Sequence, residues 1–220
     1  MQKKLEIIAY GKYLDLAINQ KNINFDESKI ITLGNDLEFN YFVESILNKF
    51  QNIYLDDPVY IKILIAWSNS KLMSTRDSAT QLLGESHILR DEVIKILNFR
   101  LRDRSWVVRC SAMYALSKLK AVECTMQIIE RYKSSFYVER EWVLRSLGVM
   151  KDKRAFGFLE KNFKRSKLMS VKYLSASSLA LLGRPEYANF LINQVSKEKD
   201  PENLFFLQDA ISLLIENSIV

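Results

Sequence analysis

Apolar residues in the second half of the chain recur three and four positions apart, in stretches that each end on a leucine. The ends are Leu83, Leu116, Leu147, Leu182 and Leu214, spaced by 33, 31, 35 and 32 residues. The positions four and seven residues before each leucine lie on the same face of a 3.6-residue helix. The nearer of the two is small or aliphatic: Ala79, Ala112, Val143 and Ser178, with Ile211 three residues before Leu214. A second apolar stretch precedes each of the later ones, at Asp91–Arg100, Val122–Tyr132, Ala155–Phe163 and Glu186–Val195. Helix pairs repeating every 31–35 residues predict an all-α solenoid. Gly84, Gly148 and Gly183 follow three leucines and are expected to cap helices, since glycine takes the left-handed backbone cheaply. Leu37–Lys49 and Val59–Asn69 also read as amphipathic helices, with a loop-rich connection over 20–36.

The clearest unit is Val108-Arg109-Cys110-Ser111-Ala112-Met113-Tyr114-Ala115-Leu116, with Asp103 in the turn before it. This spelling resembles the HEAT repeat, especially its short bacterial form. The resemblance implies a right-handed α-α superhelix of about five helical repeats over 71–220. Residues 1–70 are expected to form an irregular helical part of the same domain. Arg76, Arg109 and Arg140 share one register. They form either a basic ladder facing a partner or, as the resemblance implies, a structural set paired with an Asp of an adjacent turn. Asp103 is the candidate acceptor.

Charge sharpens this picture. Residues 101–200 hold 20 basic and 10 acidic side chains, net +10, whereas 1–100 hold 12 and 13 and 201–220 hold none and three. An excess confined to one stretch is what an electrostatic binding surface needs. The bland alternative is a solvated lysine-rich surface, to which the loop cluster from Lys161 to Lys167 could belong. Two cysteines with no CxxC spacing fit a reducing cytoplasm. No apolar run approaches the roughly 20 residues of a membrane span, and no export signal is read.

Chemistry is sparse. The single histidine, His87, cannot build a His-based metal site. No nucleophile elbow or glycine-rich phosphate loop is present. Asp56-Asp57 precede Pro58, where they cap a helix. Cys110 reads as a small buried hydrophobe. No catalytic residue, metal or cofactor is assigned, and the chain is not expected to be an enzyme.

The expected site is instead a surface. Positions two, five and nine residues before each leucine turn roughly 140–180° away from it. They place Tyr114, Trp142, Arg145 and Tyr173 in one concave groove, with Trp106, Arg109 and Arg140 as further partner-binding candidates. Trp, Tyr and Arg dominate interface hot spots because they bury large areas at low entropic cost. The alternative is that Trp142 is core. The leading expectation is a non-catalytic protein-binding solenoid. Small stand-alone HEAT-like proteins include immunity proteins that neutralise a toxin, so a toxin domain is one such partner. The alternative is nucleic-acid binding. Trp106-Val107-Val108-Arg109 and Trp142-Val143-Leu144-Arg145 are similar to segments of HEAT-like alkylpurine DNA glycosylases, but that family's catalytic Asp has no counterpart here. A scaffold for a modification enzyme is a third reading. No membrane partner is expected.

Overall fold

A computed structural model describes residues 57–134 and 136–218, and every described element is helical. The chain divides into two compact units, the first ending at Arg90 and the second beginning at Asp91. The first unit therefore takes the earliest leucine-ended helix, Leu83 included. The expected features over 20–36 and Leu37–Lys49 lie outside the described residues.

In the first unit, α1 (Pro58–Trp67) packs on α2 (Met73–Leu83). Asp57 starts α1 by accepting the Tyr60 N–H at 3.3 Å, and Pro58 supplies a φ already suited to a helix. Ile61, Leu64, Trp67, Ala79 and Leu83 form the interior and are at most 1% exposed.

The second unit holds four helix pairs: α3 (Arg90–Arg100) with α4 (Trp106–Lys118), α5 (Thr125–Arg131) with α6 (Tyr137–Met150), α7 (Phe156–Arg165) with α8 (Met169–Leu181), and α9 (Pro185–Val195) with α10 (Pro201–Ser218). The second helices stack in chain order, α4 on α6, α6 on α8 and α8 on α10. The first helices α5, α7 and α9 flank them. This is a solenoid-like all-α fold, whose core is the row Val108, Ala112, Leu116, Val143, Leu147, Leu174 and Leu179.

One turn repeats before the second helices. Ser70 Oγ accepts the Leu72 N–H at 3.1 Å, Asp103 Oδ1 the Ser105 N–H at 2.9 Å, Ser134 Oγ the Phe136 N–H at 3.2 Å, and Ser166 Oγ the Leu168 N–H at 3.1 Å. A short polar side chain that bonds backbone two residues on fixes where the chain turns into helix. Its spacings, 33, 31 and 32, set the true register. By that register Leu147 corresponds to Leu179, fully buried, and not to Leu182, which lies just past the end of α8. In α10 the buried residue is Leu213, one position before Leu214.

The same register relocates the caps. The left-handed residues after α4, α6 and α8 are Lys120 (φ 50°), Lys151 (φ 55°) and Gly183 (φ 90°), at spacings of 31 and 32. Gly84 is right-handed and Gly148 lies inside α6. The need at Gly148 is space: a Cβ built there would sit 2.7 Å from the Ser178 Cα, so α6 and α8 touch backbone to backbone. At this contact Ser178 Oγ donates to the Leu144 carbonyl at 2.7 Å.

Candidate functional site

The last helix shapes the site. Asp200 caps α10 by accepting the Asn203 N–H at 2.9 Å, and the 18-residue helix that follows contains no internal Gly or Pro. It packs on α8, and its Asp209 forms an ion pair with Arg145 of α6. Its last turns bring Leu213, Glu216 and Asn217 opposite Tyr114 and Lys118 of α4. Between α4, α6 and α10 lies a groove of about 270 Å³.

Trp142 forms its wall. Tyr114 meets it edge to face, with centroids 6.0 Å apart and planes at 85°, the arrangement the ring quadrupoles favour. The Arg145 guanidinium sits 5.9 Å from the Trp142 centroid, within cation–π reach. Burial makes Arg145 easier to deprotonate than an ordinary arginine, and the carboxylates of Glu141 and Glu216 oppose this. Trp142 and Tyr114 are half-buried.

Ser146, one helical turn along from Trp142, is 1% exposed, and its hydroxyl has no hydrogen-bond partner among the described residues. It occupies the same repeat position as Ser178, whose hydroxyl reaches the preceding module's Leu144 carbonyl. The matching acceptor for Ser146 would be the Met113 carbonyl. At the matching close-approach position, however, α4 carries Ser117 where α6 carries Gly148.

The sequence-predicted residues divide into five groups. Tyr114, Trp142 and Arg145 come together as expected. Tyr173 does not join them: it is 0% exposed, and its hydroxyl donates to Glu198 at 2.6 Å. Its neighbours Val171 and Leu174 are also buried, because α8 is enclosed by α6, α7, α9 and α10. Trp106 lies two turns from Tyr114, at the start of α4, stacked on Phe136 with centroids 5.9 Å apart.

Arg109 is structural in place. Its Nη1 donates to the carbonyl of Asp103 at 2.8 Å, as Arg76 Nη1 does to that of Ser70 at 2.9 Å. The Asp103 acceptor is thus its backbone oxygen; the carboxylate takes Arg100. The carboxylate that holds Arg109 is Glu139, 0% exposed, which also receives Arg131 and Ser134. Arg140 differs. Its guanidinium makes no hydrogen bond or ion pair among the described residues, and it lines a second groove of about 550 Å³ with Tyr137, Glu141, Lys167, Leu168 and Phe206. Burial raises the Glu141 carboxyl above its ordinary range, against a hydrogen bond from Ser170 and the charges of Arg145 and Arg140.

Sequence reasoning missed Ser146, Asp209, Glu216 and Glu139. Ser146 was legible only through the Ser134–Ser166 register. The α10 residues carried no signal, because their role depends on where a terminal helix folds back.

His87 is exposed in the loop that follows α2, and both cysteine side chains are buried. Among the described residues no three His, Cys, Asp or Glu side chains cluster as metal ligands would. No helix among them is long and apolar enough to cross a membrane. No family model matches this chain, and no curated protein matches it.

Proposed function

We propose that this chain is a non-catalytic protein-binding solenoid that grips its partner through the face built by Trp142, Tyr114 and Arg145. The observation that carries the reading is their convergence on one open groove, with an apolar wall and a polar edge. Half-buried Trp, Tyr and Arg in one depression are the composition of an interface centre. The groove's charges are balanced, Lys118 and Arg145 against Asp209 and Glu216, which suits a mixed protein surface better than a phosphate backbone. Arg140, Tyr137 and Leu168 extend the contact at the second groove, and Trp106 with Phe136 continues it along the same helix starts. With the HEAT-like repeat spelling, this reading extends to a cytoplasmic bacterial immunity protein that covers a toxin domain.

The test is capture from the source cytosol with the tagged full chain, together with growth rescue against the product of the neighbouring gene. Retention of one protein by the wild type and its loss from Trp142→Ala supports the reading. Retention of no protein contradicts it.

A second reading, nucleic-acid binding, is favoured by one feature. Lys118, Lys120 and Lys151 crowd together: burial, then the charges of Lys151 and Lys118, holds the Lys120 amine below the ordinary lysine range. Such binding would weaken steeply with salt, log affinity falling by about 0.9 for each phosphate contacted. No gel shift, or one that is flat across salt, removes this reading.

A further inference from the structure

We infer that the edge formed by the turns into α4, α6 and α8 binds an extended acidic segment of the partner protein, its carboxylates on the cations of the edge and its apolar side chains against Phe136 and Leu168. This rests on the protein-binding reading and gives the partner a chemistry.

The turns form one surface. Trp106, at the start of α4, stacks on Phe136 beside α6. Tyr137, Leu168 and Phe206 bring the starts of α6, α8 and α10 together around the second groove. Residues 102–109, 131–141 and 164–172 hold 10 basic and three acidic side chains, net +7, which exceeds the +6 of the whole chain. Little of this charge is neutralised in place. Asp103 pairs with Arg100, Glu139 is enclosed with Arg109 and Arg131, and Lys164 pairs with Glu160. Arg102, Lys133, Arg140, Arg165 and Lys167 enter no ion pair among the described residues.

Arg140 is the informative member. By the turn register it matches Arg76 and Arg109, whose guanidiniums donate to the Ser70 and Asp103 carbonyls. Arg140 makes no such bond among the described residues and lines the open groove with Lys167. Two carboxylates also line it. Glu141 takes a hydrogen bond from Ser170, and Glu202 lies in the first turn of α10, where the helix dipole favours it. A planar guanidinium with its donors open accommodates a carboxylate in bidentate fashion.

The apolar side chains select a polypeptide over other anions. Phe136, Tyr137 and Leu168 are 47%, 63% and 56% exposed. Phe136 and Leu168 occupy the N-cap positions of α6 and α8, where a polar side chain would stabilise the helix. A phosphate backbone brings nothing apolar to meet them. They also fail as platforms for bases, since Trp106 and Phe136 turn their faces to each other and Leu168 has no flat face. A flat lipid surface would leave the groove of about 550 Å³ unfilled. One strand of polypeptide carries carboxylates and apolar groups together. Packed helices lie about 8–10 Å apart and an extended chain rises about 3.3 Å per residue, so about three guest residues separate one turn from the next.

The test measures fluorescence anisotropy of a labelled peptide of three Phe-Glu-Asp units with the full chain, beside its Phe-Gln-Asn isostere and its Ser-Glu-Asp counterpart. The first peptide is expected to bind at least about tenfold more tightly than either, with affinity falling as salt rises. Lys133→Glu with Lys167→Glu is expected to weaken it by at least about tenfold. Lys95→Glu with Lys153→Glu changes the net charge equally at exposed positions elsewhere and is expected to weaken it by less than about twofold. No binding of the first peptide, equal binding of the three, or equal losses from the two double variants would overturn the inference. Tighter binding of phosphatidylserine vesicles or of a thymidine oligonucleotide would overturn it as well. The two layers separate. A captured protein that is lost from Trp142→Ala but kept by the Lys133 and Lys167 variant defeats only the acidic-segment assignment. Peptide selectivity without any captured protein defeats the protein-binding reading.

Discussion

Arg109 and Glu139 meet in a bidentate pair 30 residues apart in sequence, Nε to Oε1 at 2.8 Å and Nη2 to Oε2 at 2.7 Å. The pair ties the α4 module to the α6 module, and Glu139 is fully enclosed. Glu139→Gln would leave the Arg109 and Arg131 guanidiniums without their carboxylate. Removing one partner of a buried ion pair costs about 3–5 kcal/mol. Chemical denaturation at pH 7 should show a loss of that size.

The same site sets a pH dependence. Burial alone would raise the Glu139 carboxyl; hydrogen bonds from Arg109, Ser134 and Arg131, with the charge of Arg131, hold it below its ordinary value of 4.5. A folded pKa below the unfolded one gives stability that is present above the unfolded value and is lost as pH falls through the folded one. Melting curves should show the wild type losing its advantage over Glu139→Gln as the pH drops below 4.5. A gap that stays constant down to pH 3 would contradict this.

Gly148 and Gly157 should respond oppositely to alanine. At Gly148 the new methyl meets Ser178 backbone, so α6 and α8 must separate, costing about 1–3 kcal/mol or more. At Gly157 nothing lies within 4 Å, so alanine in α7 should stabilise by about 0.5–1 kcal/mol. Thermal denaturation of the two variants checks both signs.

The contrast between these glycines shows what the sequence could reveal. The helical period and the 31–35 residue spacing placed every described helix, because burial of one face per turn leaves a direct trace in residue type. Register was harder. Gly148 looked like a cap because it follows Leu147, yet it serves a helix contact, and the left-handed cap falls on Lys151. Tyr173 lies nine residues before Leu182, but by the true register it matches Glu141 and not Trp142. Tyr173 is sealed and Trp142 half-open because the register differs from the leucine count and because α8 is enclosed by neighbouring helices on several sides. The fold-back of α10 onto α6 left no pattern at all.

Lys151 ends α6 in the left-handed region, with φ 55° and ψ 28°. Its repeat counterpart after α8 is glycine, which takes that backbone without a Cβ penalty. Lys151→Gly should therefore stabilise by about 0.5–1 kcal/mol, and Lys151→Val should destabilise. Denaturation midpoints order the three proteins, and a loss for the glycine variant would refute the assigned cap.

Tyr173 should behave as a structural residue. Tyr173→Phe removes the hydroxyl that donates to Glu198 but keeps the buried ring. A modest fall in Tm with unchanged partner affinity is expected. A loss of affinity at constant Tm would return Tyr173 to the binding face.

The most direct test measures affinity and melting together for Trp142→Ala against the captured partner. The account predicts weaker binding by about 2 kcal/mol or more, roughly thirtyfold, with Tm within a few degrees of the wild type. Unchanged affinity, or a stability loss of about 3–5 kcal/mol that marks Trp142 as core, would contradict it.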